Sequence, residues 1–96
     1  MNIKGLYEIG MVLINNKYLS PIKSQKVYNH SPDGFNWGYA GSGPAQLALA
    51  ILLEVTDKGT ALEYHQDFKK KIIATLPQTD FEIELDIKKW LKENDK

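Results

Sequence analysis

The chain reads as an α+β domain in the order ββ(β)ααβα, a small antiparallel sheet packed on a buried central helix and a second helix. Three observations predict this. An N-terminal stretch of strand-forming residues is punctuated by an Asn-Asn pair, two helical segments with start and stop signals fill the middle, and a period-2 strand precedes a short closing helix. The 96 residues suit one domain, 1–96, with one core.

From Lys4 to Leu19 the pattern is a hairpin. Leu6-Tyr7-Glu8-Ile9 and Met11-Val12-Leu13-Ile14 are strand-like, and Asn15-Asn16 supplies left-handed turn positions before Lys17-Tyr18-Leu19. Ser20 to Gly43 loses periodicity among Pro21, Pro32 and several glycines, so it reads as irregular, with a short strand at Gln25–Tyr28. Loops this long in small domains tend to carry function.

The first helix opens at Pro44, capped by Ser42 or Gly43, and ends near Thr56, with Gly59 closing the turn. It is apolar nearly all round, which places it at the centre of the fold. A second helix opens at Thr60, whose spacing to Glu63 fits a capping box. Tyr64, Phe68, Ile72 and Leu76 then recur every four residues up to Pro77. Phe81-Glu82-Ile83-Glu84-Leu85 alternates as a half-buried strand with both carboxylates outward. Asp86 caps a last helix that turns Ile87, Trp90 and Leu91 inward.

Composition narrows the function. Hydrophobic residues make up 43% and charged residues 25%, ordinary for a globular protein. Twelve cations balance twelve acids, so no global field draws the chain to a nucleic-acid polymer or an anionic membrane. Every cation is Lys, which removes the guanidinium fork used for bidentate phosphate or guanine recognition. The absence of cysteine excludes disulfides, thiolate nucleophiles and Cys-type zinc sites, and fits a cytoplasmic location. The opening Met1 to Glu8 lacks the basic start and apolar stretch of a signal peptide.

The unusual residues are concentrated between His30 and Leu47. Gly41-Ser42-Gly43-Pro44 stands directly before a helix, where unpaired backbone amides and the helix dipole favour an anion. The amides of Gly43, Ala45 and Gln46 are the candidate receivers, with the Ser42 hydroxyl and the Gln46 side chain completing the cradle. No Lys-Ser or Lys-Thr pair follows, so this is not a Walker-type loop. Phe35, Trp37 and Tyr39 alternate along the chain; in an extended strand their rings share one face, and Trp37 and Tyr39 are the candidates to stack on a planar ligand. The structural alternative is that these rings form an outer core layer over the central helix.

His30 lies beside Ser31 and Asp33, but triads are assembled from distant segments, and Ser31-Pro32-Asp33-Gly34 is better explained as a β-turn. His65 has no partner at metal-ligand spacing and reads as structural or surface. No cofactor and no metal ligand set is expected, and catalytic residues are not assigned.

The run from His30-Ser31-Pro32-Asp33-Gly34-Phe35-Asn36-Trp37-Gly38-Tyr39 through Ala40-Gly41-Ser42-Gly43-Pro44-Ala45-Gln46-Leu47-Ala48-Leu49-Ala50 resembles the signature of a small family of uncharacterised proteins. They are found in bacteria, archaea and their phages or mobile elements. The resemblance implies the same order of elements and a phage or mobile-element setting, and it carries no reaction. The chain departs from that pattern in having no Arg in its N-terminal strand region.

The resulting expectation is a non-enzymatic binding protein. Its ligand would be small, anionic and planar, such as a nucleotide or a defence signal, held by His30, Phe35, Trp37, Tyr39, Ser42, Gly43, Ala45 and Gln46. The competing expectation is an inhibitor of a host defence factor that acts through an exposed patch or the acidic strand Phe81–Leu85. A small hydrolase using His30 comes third. Self-association fits all three, because so short a chain with so apolar a helix gains from a covering partner.

Overall fold

The computed structural model describes residues 1–95. Strands β1 (Asn2–Leu6), β2 (Met11–Ile14) and β3 (Lys17–Tyr18) are followed by helices α1 (Ile22–Val27), α2 (Ser42–Leu53) and α3 (Lys58–Lys71). A 3-10 turn at Ile73–Thr75, strand β4 (Phe81–Glu84) and helix α4 (Ile87–Glu93) complete the α+β fold. The four strands form one antiparallel sheet in the order β3-β2-β1-β4. No helix among the described residues is long and apolar enough to cross a membrane.

The two tight turns follow from local chemistry. Asn15 and Asn16 take φ of 50° and 66°, the left-handed pair that joins β2 to β3. Gly10 takes φ of 63° and closes the β1–β2 turn by donating to the Tyr7 carbonyl. That turn uses Tyr7 to Gly10, so the first strand is Asn2–Leu6 and not the expected Leu6–Ile9, and Ile9 stands exposed at its tip.

Register separates the two faces of the sheet. Ile3 pairs with Ile14 and Ile83, and Gly5 pairs with Val12 and Phe81. These residues line the inner face, where Ile3 and Val12 are closed to solvent. Gly5 belongs there because a Cβ would sit 2.3 Å from the Phe81 ring and 2.8 Å from Trp37. Asn2, Lys4, Leu6, Met11, Leu13, Tyr18, Glu82 and Glu84 alternate onto the other face.

Helix α2 is the centre, with every residue from Gly43 to Leu52 buried. It starts two residues before the expected Pro44, with Gly41 as N-cap. Helix α3 starts at Lys58, because the Asp57 carboxylate accepts the Thr60 amide and hydroxyl and so becomes the cap expected at Thr60. The helix stops at Lys71, short of Leu76, and tightens into the 3-10 turn, whose Ile73 carbonyl accepts the Gly38 amide. Asp86 caps α4 as expected, accepting the Lys89 amide.

Helix α1 corrects the reading of Ser20–Gly43 as irregular with a strand at Gln25–Tyr28. Ser20 accepts the Ile22 amide, while the Ser24 hydroxyl and the Gln25 amide both donate to the Pro21 carbonyl. Local hydrogen bonds at both ends of Pro21 start this helix, which at six residues is too short to show a period.

Candidate functional site

The segment between α1 and α2 is held from inside by one residue. Gln46 is fully buried on α2, and its Oε1 accepts the amides of His30 (2.7 Å) and Ser31 (3.0 Å). Its Nε2 donates to Ser24 Oγ (2.9 Å) and to the Tyr28 carbonyl (3.1 Å). Two N–H donors on one side and two oxygen acceptors on the other fix the amide orientation and satisfy it completely. Gln46 thus stitches α1 and the His30 segment onto the central helix, and its amide has no bonding group left to complete an anion cradle at the helix N-terminus.

Of the three alternating rings, two lie inside. Trp37 is closed to solvent, packed edge-to-face on Phe81 and Tyr7 with ring centres 5.0 Å and 5.7 Å away, and its indole donates to the Thr79 carbonyl. Phe35 is buried in the same core. Tyr39 is 41% exposed, with its ring over Gly41, where an added Cβ would sit 2.4 Å from it. The rings do not share a face, because Gly38 takes φ of 85° and breaks the extended run between Trp37 and Tyr39. The stacking role expected of Trp37 is closed in this conformation.

At the start of α2, Gly43 lies against Asn36, where an added Cβ would stand 2.8 Å from the Asn36 side chain. The Ala45 amide already donates to the Gly41 carbonyl, and Pro44 has no amide to offer. Ser42 is exposed near Tyr39. The structure therefore brings Tyr39, Gly41 and Ser42 together at the surface, places Phe35 and Trp37 in the core, and joins His30 to Gln46 through the backbone.

His30 has a partner that spacing along the chain conceals. Its Nε2 lies 2.9 Å from Nε2 of His65, a buried residue on α3 that the sequence left without a partner. His65 Nδ1 lies 2.7 Å from the Leu62 carbonyl, which can only accept, so this nitrogen carries a proton. With both rings neutral, His65 Nε2 then accepts from the Nε2–H of His30. The Tyr28 ring centre lies 4.3 Å from that of His30, and the Gln66 amide reaches within 3.4 Å of His65 Nε2. Burial, then His65 and Lys69, hold His30 below the ordinary histidine range. The ring's contact is thus His65, and neither Ser31 nor Asp33 forms a side-chain bond to it. The signal for His65 was available: Ala61, His65 and Phe68 are the buried stripe of α3 at helical spacing.

The second candidate surface is the outer face of the sheet. Leu6, Met11 and Leu13 are half-buried, and Tyr18, opposite Leu13, is 61% exposed. The Lys4 ammonium stands 3.9 Å from Glu82, and the Asn2 amide bridges Glu82 and Glu84. Leu85 and Met1 exchange backbone hydrogen bonds, so by the alternation of an antiparallel pair the Glu82 and Glu84 backbones point their amides and carbonyls to the open edge.

Residues 7–93 match a family of unknown function, DUF6166, and the chain belongs to that family. No curated protein and no solved structure matches the chain.

Proposed function

We propose that this protein is a non-enzymatic binding module that engages a protein partner through the outer face and β4 edge of its sheet. One observation carries the reading. The aromatic residues suited to a small planar ligand are largely spent on the core, whereas the outer face leaves Leu6, Met11, Leu13 and Tyr18 accessible, with Lys4 and Asn2 between them and the carboxylates of Glu82 and Glu84 at the β4 edge. An apolar strip rimmed by charge is the anatomy of a protein contact. The open amides and carbonyls of Glu82 and Glu84 would add main-chain bonds to an extended partner segment. Because the signature segment resembles proteins carried by phages and mobile elements, the partner we propose is a host factor, with anti-defence as the role. A second copy pairing on the β4 edge would set these carboxylates against each other, which disfavours self-association there.

The test compares co-purification from host cells of the wild type, the E82K/E84K double variant and Tyr39→Ala. A protein retained by the wild type and by Tyr39→Ala but released by E82K/E84K supports this reading. A retained small molecule in native mass spectra, lost in Tyr39→Ala and kept in E82K/E84K, overturns it in favour of a ligand at the start of α2.

A further inference from the structure

The proposal above does not use the His30–His65 pair. We propose that these two histidines, with the side chain of Gln66, form a binding site for one borderline divalent transition metal ion such as Zn(II) or Ni(II). The argument is geometric. The two Nε2 atoms are 2.9 Å apart and the ring centres 5.0 Å apart. With metal–nitrogen bonds of about 2.05 Å, two imidazoles sharing an ion hold their ring centres about 4.5 Å apart at a right angle and about 5.2 Å apart at the tetrahedral angle. The observed centres fall between these values, and an ion enters when the nitrogens open from 2.9 Å to about 3.3 Å and both rings turn off the line that now joins them.

The hydrogen-bonding surroundings suit the chemistry, while the Lys69 ammonium near His30 opposes a cation there and limits the affinity. The bond from His65 Nδ1–H to the Leu62 carbonyl fixes the tautomer and orientation of the imidazole and leaves its Nε2 lone pair free to ligate. The Gln66 amide is 3.4 Å from the same nitrogen, and rotating it by a half-turn presents its oxygen as a third donor. His65 is buried on α3, while His30 is only partly covered, which leaves an approach from solvent and positions for water. Imidazole pairs with an oxygen donor select zinc, nickel or copper over magnesium and calcium. Binding exchanges no electrons. His30 gives up its Nε2 proton and takes one at Nδ1, so the ring stays neutral while the metal replaces the hydrogen bond.

The test is calorimetric titration of the metal-stripped protein with zinc chloride and nickel chloride near pH 7.5, read beside long-range 15N–1H spectra of the imidazoles. The expected result is one ion per chain and a loss of affinity of about tenfold or more in both His30→Ala and His65→Ala. The spectra of the saturated protein should show His30 switched to the Nδ1–H tautomer. His30→Ala changes the less buried partner and keeps the test valid if His65→Ala unfolds. Titrations without saturable binding, binding equal in His30→Ala and wild type, or a His30 still protonated at Nε2 in excess zinc would each overturn the site and leave a hydrogen-bonded pair only.

Discussion

The His30–Gln46 segment and the outer face of the sheet make opposite use of their residues. The segment holds the rings, glycines and polar side chains that look like a site. Yet Phe35, Trp37 and Gln46 are buried there, and every hydrogen-bonding group of the Gln46 amide is occupied. The outer face is built from ordinary strand residues, and it keeps Leu13 half-open and Tyr18 exposed. A chain of this size has little core to spare. Long irregular segments must then be fastened by large rings and buried amides, and the same residue types that bind ligands elsewhere are consumed as fastenings. Chemical richness along the sequence marks the place where the fold is hardest to close.

If that contrast holds, the largest effect of any single change belongs to Trp37. Trp37→Ala removes a fully buried ring, empties the space beside Phe81 and Gly5, and leaves the Thr79 carbonyl without its donor. Truncations of this kind cost about 3–5 kcal/mol, a large share of the stability of a small domain. Urea denaturation followed by circular dichroism should place the variant at or near unfolding in buffer. A variant that keeps wild-type stability would return Trp37 to the list of ligand-stacking residues.

Gln46 comes next. Gln46→Leu keeps the volume of the side chain but strands the Ser31 amide and leaves the His30 amide and the Tyr28 carbonyl only their 3.2 Å bond to each other. Ser24 retains its bond to Pro21, and the segment lies near enough to the surface for water to replace part of the loss, so the expected cost is about 1–2 kcal/mol. The sharper readout is hydrogen exchange. Protection should fall at the amides of His30 and Ser31 while the β1–β2 amides hold theirs.

How much of this could be read from the chain depends on the range of the deciding interaction. The Asn15-Asn16 turn, the Asp86 cap and the alternation of Phe81–Glu84 are settled within a few residues, and each is legible. The start of α3 is expected at Thr60 from its capping-box spacing to Glu63, and the structure moves it to Lys58. Asp57 prevails by accepting both the amide and the hydroxyl of Thr60. The β1 strand was displaced because its inward residue Gly5 contributes no side chain, the space being filled by Phe81 and Trp37 from distant parts of the sequence. The histidine pair joins residues 35 positions apart, and no spacing rule reaches that far. The α+β class and the order of the main elements therefore came from local signals. The surface and the histidine site needed tertiary contacts.

The smallest effect on stability, that of Leu13→Ser, is also the most discriminating, because its neighbour Val12 on β2 supplies the contrast. Val12 faces Gly5 on the inner side and is closed to solvent, whereas Leu13 faces Lys4 and Tyr18 on the outer side and is half-buried. Val12→Ser should cost about 2–4 kcal/mol, through lost apolar contact and a hydroxyl placed in the core. Leu13→Ser removes an apolar side chain that water already reaches, so its cost should stay below about 1 kcal/mol. If the outer face serves a partner, Leu13→Ser should nevertheless weaken that complex while the melting curve barely moves. Melting curves of both variants, recorded beside co-purification with the partner, separate the two roles. A Leu13 variant as unstable as the Val12 variant would mean that the outer face belongs to the core, and the docking surface would have to be sought elsewhere on the molecule.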